Sequence, residues 1–379
     1  MNIEELRTQI DEVDDELLRL FEQRMELAKA IGEYKNENSL PIRNRERERK
    51  ILYRMYKKAK PELSEYTRAL FSSLFEMSSG YQGMFHHSDS NVKRLIEKAV
   101  QDTKENFPSS AVVACQGIEG AYSQAACDKL FPTADITYFD RFDGVFQAVN
   151  SGLCRYGILP LENSTAGSVN EVYDLMSHYQ CYIVRSIKLP ITHTLLAVPG
   201  VKISDIMEVF SHDQAIRQCS HFLDSMKEIK VTGCENTATA AKWAAESGRK
   251  DAAVISSQDC ADLYGLSVLS YNIQNSDNNY TRFICIAKEP EIYPGACKTS
   301  LVLSLNHKPG TLYSVLAKFN AHGINLDKLE SRPIAGQEFE FKFYFDIDTP
   351  AVSDDLKQML SELEYETDMF HYMGTYQEF

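Results

Sequence analysis

Apolar side chains recur at heptad spacing over the first 34 residues, which predicts a long amphipathic helix that packs against a second helix. Nine residues hold the apolar a and d positions: Ile3, Leu6, Ile10, Val13, Leu17, Leu20, Leu27, Ile31 and Tyr34. Arg24 occupies the remaining a position. A guanidinium between helices is costly unless an anion meets it. Arg24 therefore either pairs with a structural carboxylate or marks a pocket for an acidic ligand.

Further polar residues near this seam favour the pocket. At about 100° per residue, Lys35 lies about 20° around the helix from Arg24 and roughly 16 Å along it. Arg7 lies about 100° away, so only a second long helix, expected from another protomer, could bring an Arg7 there. A second predicted helix carries polar residues at i, i+3 and i+4: Asn44, Arg47 and Glu48. The separated cations indicate a small ligand with two carboxylates.

Residues 1–84 resemble the all-helical chorismate mutase domain of bacterial aromatic biosynthesis. The matching segments are LRTQIDEVDDELLRLFEQRMELA, IGEYK and LPIRNRERE, followed by a third helix that carries Gln82. The resemblance assigns substrate binding to Arg7 (from a second subunit), Arg24, Asn44 and Arg47, and catalysis to Lys35, Glu48 and Gln82. At Asn44 the family often has Asp.

The rearrangement that this resemblance implies is pericyclic and needs no nucleophile. Arg7, Arg24 and Lys35 would hold the two substrate carboxylates. Lys35 and Gln82 would also meet the ether oxygen, and Glu48 would bind the ring hydroxyl. Catalysis would combine conformational restraint with stabilisation of charge on the breaking C–O bond.

The hydrophobic pattern changes twice beyond this region. Helical periodicity fades after about residue 84, and HHSDSN at 86–91 predicts the start of a linker. Short apolar runs at 111–115, 156–161 and 252–256 then alternate with helical stretches, which is typical of α/β architecture. These changes predict an all-helical domain over 1–90 and an α/β domain over 109–290.

From about residue 299 the pattern predicts strands and helices in the order β-α-β-β-α-β, with a strand over 324–332. Four phenylalanines alternate with other residues as in a half-buried strand: Phe339, Phe341, Phe343 and Phe345. The last dozen residues could add an edge strand. This order predicts an α+β, ferredoxin-like domain over 297–379.

Polar motifs follow several predicted strands of the middle region. GIEGAYS (117–123) follows a strand and opens a helix, where its glycines either serve a tight turn or let backbone amides face an anion. PLENS (160–164) ends a buried strand, where open α/β sheets bind ligands, although a loop or a helix cap would also explain it. The dinucleotide-binding spacing GxGxxG does not occur at this turn.

Four motifs over about residues 110–290 resemble prephenate dehydratase: GIEGAYSQAA, PLENSTAGSV, SHDQAIRQC and NNYTRF. The resemblance implies two α/β lobes with the active site between them and makes Thr281 the main catalytic residue. It assigns substrate binding to Glu162, Asn163, Ser211, Gln218 and Arg282. Prephenate gains aromaticity when it loses its hydroxyl group and CO2, so the site mainly positions the substrate and hydrogen-bonds the departing hydroxyl. No metal or organic cofactor is expected.

Two C-terminal motifs are explained structurally as a loop before a helix and as a strand end. They also resemble the amino-acid-binding ACT domain, through HKPGTL (307–312) and an intact ESRP (330–333). Thr311 stands where the family normally has Ala. The implied effector is L-phenylalanine, and the implied effector-binding residues are Gly310, Thr311, Leu312, Glu330, Ser331, Arg332 and Pro333.

Composition limits the alternatives. The 379 residues carry a formal net charge of −14, which opposes general nucleic-acid binding. A basic cluster over 43–60 is read as a solvated helix face, with RNA binding as the alternative. The nine cysteines are scattered without a CxxC pair, which predicts reduced, mostly buried thiols and no structural zinc. Without a signal peptide or a membrane-spanning run, a soluble cytoplasmic protein is expected.

The three resemblances, in this order, predict a bifunctional chorismate mutase/prephenate dehydratase that is inhibited by L-phenylalanine. We expect chorismate and prephenate as substrates, a homodimer or higher homo-oligomer, and neither a nucleic-acid nor a membrane partner. A mutase–dehydrogenase fusion would require the missing nucleotide-binding glycines. The remaining alternative is a non-catalytic amino-acid-sensing regulator whose N-terminal helices bind nucleic acid. Arg24 in the seam and the TRF segment at 281–283 favour the enzyme.

Overall fold

In the computed structural model, the described residues are 2–38, 40, 44–86, 90–226, 228–305, 310–334, 341–367 and 369–379. They form two compact units: Met1–Lys98 with Leu301–Tyr372, and Ala99–Ser300 with Met373–Phe379. Three features named from the sequence lie partly or wholly outside the described residues: the linker at 86–91, residues 307–309 and Phe339. The three predicted domain ranges stay a prediction.

The helices are α1 (Ile3–Glu37), α2 (Arg45–Lys58), α3 (Ser64–His86), α4 (Asn91–Asp102), α5 (Tyr122–Leu130), α6 (Phe142–Ser151), α7 (Asn170–Tyr179), α8 (Asp213–Gln218), α9 (Ser220–Ser225), α10 (Thr237–Ser247), α11 (Asp259–Tyr264), α12 (Thr311–Ala321) and α13 (Asp354–Glu366). The strands are β1 (Val112–Gln116), β2 (Asp135–Phe139), β3 (Tyr156–Asn163), β4 (Gly167–Ser168), β5 (Tyr182–Pro190), β6 (Thr194–Ala197), β7 (Glu208–His212), β8 (Lys230–Cys234), β9 (Ala252–Ser256), β10 (Ser267–Ser270), β11 (Tyr280–Ala287), β12 (Lys298–Leu305), β13 (Asn325–Pro333), β14 (Phe341–Asp348) and β15 (Met369–Glu378).

The predicted N-terminal helix is confirmed as α1, which is 35 residues long. It begins with a capping box: the Asn2 side chain accepts from the Glu5 N–H at 2.9 Å, and the Glu5 carboxylate accepts from the Asn2 N–H at 3.0 Å. Further along, Ala28 and Gly32 are buried. A Cβ on Gly32 would lie 3.1 Å from Cγ of Gln82, so this glycine allows α1 and α3 to approach closely.

The apolar residues of the heptad seam of α1 are exposed and do not pack against α3, whereas Arg24 does contact α3. Ile10, Val13 and Leu17 expose 60%, 63% and 58% of their surface. Exposed aliphatic side chains at regular spacing form an apolar stripe along one helix. The second helix that the heptad pattern predicts is therefore not supplied by α3 of the same chain.

The second unit contains two sheets with helices packed on them, which confirms the predicted α/β architecture of the middle region. The first lobe has the strand order β5-β11-β3-β1-β2, with β4 paired to β3, and the second lobe has the order β10-β6-β9-β7-β8. Strands β1, β2 and β3 are parallel, whereas β11 runs antiparallel between β3 and β5. Each lobe has its own apolar core.

The C-terminal segment has the predicted β-α-β-β-α-β order, and its strands are arranged as β13-β14-β12-β15. This is the ferredoxin-like arrangement. Strand β13 lies at the end of this order and pairs antiparallel with β14. Near its end, β15 adds in parallel to β5 of the first lobe, where Gln377 and Glu378 face Arg185 and Ser186.

Two predictions from composition can be compared with the structure. All nine cysteines lie in the described residues, none of them in a disulfide, and seven of them are buried, which confirms that most are buried. Among the described helices, none combines the length and the apolar character that would be needed to cross a bilayer.

Candidate active sites

Arg24 lies where α1 meets α3 and is half-buried. Its Nη1 donates to the Leu74 carbonyl oxygen at 3.0 Å and to the Ser78 hydroxyl oxygen. Its guanidinium carbon lies 5.8 Å from the centre of the Phe75 ring. Burial lowers the pKa of this guanidinium. Within the described part of the chain, these three partners are neutral. The arrangement therefore favours a pocket for an acidic ligand over a structural ion pair.

Lys35 follows Arg24 along the same side of α1. Its Nζ donates to Oε1 of Gln82 at 3.2 Å, and the Gln82 side chain is buried on α3. Burial lowers the pKa of Lys35, and the charge of Glu48 on α2 partly offsets this effect. An amine, an amide and a carboxylate therefore approach one another from three helices.

The other predicted ligands of this helical site lie further out. Asn44 caps α2 by accepting from the Arg47 N–H at 3.0 Å, and both residues are exposed. Arg7 is exposed and pairs with Glu4 at 2.8 Å. It lies roughly 25 Å along α1 from Arg24. A single chain therefore does not bring Arg7 to the site, in agreement with the helix geometry.

A second candidate site is the cleft between the two lobes, which contains a cavity of about 480 Å³. The ends of β3 and β11 contribute Asn163 and Thr281 to its wall, and α8 contributes Gln218. Three residues that were predicted from separate motifs are thus brought to one cavity.

Asn163 and Thr281 are buried and lie opposite each other on the antiparallel strands β3 and β11. The Asn163 Nδ2 donates to the Thr281 hydroxyl oxygen and to Oδ1 of Asn279, both at 2.9 Å. A hydroxyl oxygen that accepts one bond keeps its own O–H for a second partner. Thr281 can therefore donate a hydrogen bond to a ligand in the cavity.

A chain of hydrogen bonds connects Asn163 with a buried histidine. The Thr165 hydroxyl donates to Oδ1 of Asn163 at 2.7 Å, and Nε2 of Gln218 donates to the Thr165 hydroxyl oxygen at 2.7 Å. Oε1 of Gln218 lies 2.8 Å from Nε2 of His193. Since an amide oxygen only accepts, the proton of His193 is on Nε2. Burial lowers the pKa of His193 despite the bond to Gln218, so the ring is neutral.

Every hydrogen bond in this network is donated in the same direction, which runs from His193 to Thr281. The residues in order are His193, Gln218, Thr165, Asn163 and Thr281. In such an order each bond polarises the next and holds its side chain in one orientation. The Thr281 O–H is the group that remains at the cavity end.

Two helices begin at this cavity. Tyr122 is the first residue of α5 and Thr237 is the first residue of α10, and both line the wall. Among the described lining residues none is Lys or Arg, and Glu235 is the acidic one. The positive ends of these two helices therefore face the cavity, where they can favour a negatively charged ligand.

The glycines of the GIEGAYS motif have a conformational explanation. Gly117 and Gly120 have φ angles of 98° and 88°, in the region that favours glycine. A Cβ on Gly120 would also lie 3.0 Å from the sulfur of Cys260. A tight turn therefore explains why both positions are glycine. The backbone N–H groups that could face an anion are those at the start of α5.

Three predicted substrate-binding residues are not among the described residues that line the cavity. Ser211 is buried, and its hydroxyl donates to a backbone carbonyl of β9 at 2.7 Å. Glu162 and Arg282 directly neighbour Asn163 and Thr281, and successive side chains of a strand face opposite sides of the sheet. Glu162 and Arg282 instead form an ion pair, with 2.9 Å between Oε1 and Nε.

The predicted effector residues lie at the start of α12 and the end of β13. Gly310 precedes α12 with a φ of 92°, and Thr311 and Leu312 are its first residues. The segment 330–333 ends β13, as predicted. There Glu330 pairs with Lys328 at 3.3 Å and with Arg332 at 3.7 Å.

Four residues that take part in these two sites were not predicted: Ser78, Thr165, His193 and Asn279. Thr165 and Asn279 lie inside the motifs PLENSTAGSV and NNYTRF, so the motifs themselves carried the signal. Ser78 lies one helical turn before Gln82 and shares its face of α3. His193 has no accompanying pattern.

The comparisons with known proteins agree with the two family resemblances. Residues 6–83 match the family of type II chorismate mutases, and residues 113–291 match the prephenate dehydratase family. A bifunctional chorismate mutase/prephenate dehydratase from Aquifex aeolicus is 32% identical over 99% of this chain and 97% of its own length. Arogenate dehydratase 2 from Petunia hybrida is 38% identical over 83% of this chain and 84% of its own length.

A solved structure adds support for the fold of the second unit. Prephenate dehydratase from Arthrobacter aurescens, crystallised with L-Phe, is 28% identical and aligns with a TM-score of 0.65. The alignment covers 70% of this chain and 90% of that chain. Together with the two sites, these matches define an enzyme of aromatic biosynthesis with two activities. The chain belongs to the bifunctional chorismate mutase/prephenate dehydratases, so it converts chorismate to prephenate and prephenate to phenylpyruvate.

Proposed function

We propose that the two reactions use two different sites, with the mutase reaction between α1, α2 and α3 and the dehydratase reaction in the cleft between the lobes. The main support is the contrast in chemistry between the two sites. The helical site gathers the cations Arg24 and Lys35, whereas the cleft presents neutral donors that end at Thr281.

At the helical site, Arg24 would hold one carboxylate of chorismate, and an Arg7 from a second subunit would hold the other together with Lys35. Oε1 of Gln82 accepts from Lys35, which directs the Gln82 amide N–H toward the ligand. Lys35 and Gln82 can therefore donate together to the ether oxygen, where negative charge develops as the C–O bond breaks. Glu48 would bind the ring hydroxyl.

In the cleft, the two carboxylates of prephenate would be attracted by the starts of α5 and α10. The Thr281 O–H would donate a hydrogen bond to the departing hydroxyl group, which takes up one proton from solvent and leaves as water. The ring carboxylate leaves as CO2, and its bonding electrons complete the aromatic ring. Gln218 and Asn163 would keep Thr281 and the substrate in the reactive orientation.

The exposed seam of α1 supports a dimer. A second copy of this helix would cover apolar side chains such as Ile10 and Leu17, and its Arg7 could then reach the Arg24 of the first copy. The heptad spacing fits a self-complementary pairing about a twofold axis.

Mixing subunits tests this shared site. Neither Arg7→Ala nor Arg24→Ala alone should retain mutase activity, because every dimer of one variant lacks one arginine in both sites. After random subunit exchange, half of the dimers are mixed and one of their two sites is intact, so about a quarter of wild-type activity should return. Proven heterodimers without any recovery would contradict the shared site.

The C-terminal segment would be an ACT-type domain that binds L-phenylalanine. Its ferredoxin-like strand order, Gly310 before α12 and the exposed edge position of β13 support this proposal. The Arthrobacter enzyme, whose structure contains L-Phe, adds support from a related protein. An effector site where two such domains meet would use the β13 edge.

A coupled assay tests both the function and the effector. Protein supplied with chorismate alone should release phenylpyruvate, and L-phenylalanine should inhibit this release. Gly310→Val should weaken inhibition by roughly 5- to 160-fold, because valine strains a backbone with positive φ by about 1–3 kcal/mol. Gly323→Val, with a φ of 63° at the other end of α12, is the matched control. A protein that consumed neither chorismate nor prephenate would contradict the proposal.

A further inference from the structure

A cluster of charged side chains lies behind the two strands that carry Asn163 and Thr281. Arg282 is its centre: its Nε lies 2.9 Å from Oε1 of Glu162, and its Nη1 lies 3.8 Å from Oε2 of Glu378. Glu378 also pairs with Lys188 at 2.8 Å and with Lys298 at 3.1 Å. The cluster therefore connects β3 and β11 with the last strand, β15.

Burial makes these contacts consequential. Arg282 exposes only 3% of its side chain, and Glu378 exposes 17%. Removing one partner from a buried ion pair leaves the other charge uncompensated. Although burial opposes ionisation, hydrogen bonds from Lys188 and Lys298 and the nearby Arg282 keep the pKa of Glu378 below its usual value. Glu378 is therefore a carboxylate at neutral pH.

The backbone around Glu378 is held firmly. The Phe379 N–H donates to the Ser186 carbonyl oxygen at 2.9 Å, and the Phe379 carbonyl oxygen accepts from the Lys188 N–H at 2.9 Å. The guanidinium carbon of Arg185 lies 4.5 Å from the centre of the Phe379 ring. The end of β15 is thus an anchored part of the first lobe. Oε2 of Glu378 accepts from the Ser186 hydroxyl at 3.3 Å and lies 3.8 Å from Nη1 of Arg282.

The strand pairing is irregular beside the catalytic pair. Thr281 faces Asn163 and Arg282 faces Glu162, but Phe283 faces Pro160, so β3 has one extra residue at this point. Such a bulge bends the strand and re-aims side chains, and it leaves the local ladder incomplete. On one side of Thr281 and Asn163, the Ser164 N–H donates to the Tyr280 carbonyl oxygen at 2.8 Å. On the side of the bulge, the ion pair between Arg282 and Glu162 adds a side-chain contact between β11 and β3.

We propose that Glu378 is a positioning residue for the dehydratase reaction, acting through Arg282. By holding Arg282 against Glu162 at the bulge, it keeps β11 in register with β3 and so keeps the Thr281 hydroxyl at the Asn163 amide. This inference rests on the proposed role of Thr281. It gives Glu162 and Arg282 a function that differs from direct substrate contact.

The experiment compares dehydratase kinetics, with supplied prephenate, for Glu378→Gln and the wild type. We expect kcat to fall about tenfold and KM to change less than about twofold, because the substrate contacts stay while the donor is displaced. Gln377→Ala is the matched control on the same strand and should leave both constants unchanged. The circular dichroism spectrum and the thermal unfolding midpoint of each variant report whether both units are folded.

A double-variant cycle shows whether Glu378 acts through Arg282. Glu378→Gln combined with Arg282→Met should be no slower than Arg282→Met alone, since the pathway is already interrupted. If Arg282→Met does not fold, Arg282→Lys replaces it, with the same expectation of non-additive effects. Additive losses would overturn the inference.

Other results separate this inference from the proposed function. An unchanged kcat in Glu378→Gln, or a raised KM alone, would overturn the positioning role while a loss of activity in Thr281→Ala still supported the site. Full dehydratase activity in Thr281→Ala would instead refute the proposed catalytic role itself.

Discussion

Thr281→Ala is expected to lower the dehydratase kcat about 10²- to 10³-fold, because the cavity loses the one O–H that the hydrogen-bond chain leaves for the departing hydroxyl group. Loss of the hydroxyl also removes an acceptor for the Asn163 amide, which is otherwise bonded at 2.9 Å. The measurement is phenylpyruvate formation from supplied prephenate at saturating substrate.

Thr281→Ser is the matched control for this change. It retains the hydroxyl that donates the bond and should keep most of the activity. Mutase turnover should stay near that of the wild type in both variants. A Thr281→Ala protein with a kcat within about twofold of the wild type would show that the departing hydroxyl is stabilised by another group.

Arg24→Ala should remove most of the mutase activity and leave the dehydratase activity on prephenate near its wild-type value. An unpaired substrate carboxylate in a partly buried site costs about 2–5 kcal/mol, or roughly 30- to 5,000-fold in kcat/KM. The Ser78 hydroxyl and the Leu74 carbonyl each also lose the bond that Arg24 donates, although Ser78 still donates to Leu74 at 2.7 Å. Mutase rates are measured by the disappearance of chorismate.

Arg19→Ala provides the control on the same helix. Arg19 is exposed and pairs with Glu16 at 2.6 Å on the surface, where such a pair contributes little. Equal losses in Arg19→Ala and Arg24→Ala would point to a general defect of α1 and not to a substrate contact. Loss of both activities in folded Arg24→Ala protein would contradict two separate sites.

Much of the fold follows from local sequence patterns. Heptad spacing predicted α1, and the change to short apolar runs predicted the α/β lobes, because each pattern repeats within a few residues. Contacts between segments that are far apart in sequence were harder to predict. The pairing of Glu378 with Ser186 joins β15 to a strand almost 200 residues earlier, and nothing in either segment specifies the other. The sequence suggested an edge strand here, which is wrong, because β15 lies between β12 and β5.

In the candidate sites, too, residues inside motifs were predicted, whereas a residue that only a distant contact defines was not. Asn163, Gln218 and Thr281 were found from motifs, while His193 was missed because its partner Gln218 lies 25 residues away in sequence. The placement of Glu162 and Arg282 could have been predicted. Each directly neighbours a cavity residue on a strand, so alternation alone puts it on the opposite face.

The division of the chain between the two units has a consequence for the order of synthesis. The first unit combines Met1–Lys98 with Leu301–Tyr372. After its N-terminal segment has been synthesised, about 200 further residues must be added before the segment Leu301–Tyr372 follows. At roughly 5–20 residues per second, this interval lasts on the order of 10–40 s. Throughout it, the apolar stripe of α1 is available to a neighbouring nascent chain on the same messenger. Pairing between such chains would cover the stripe before either protein is finished.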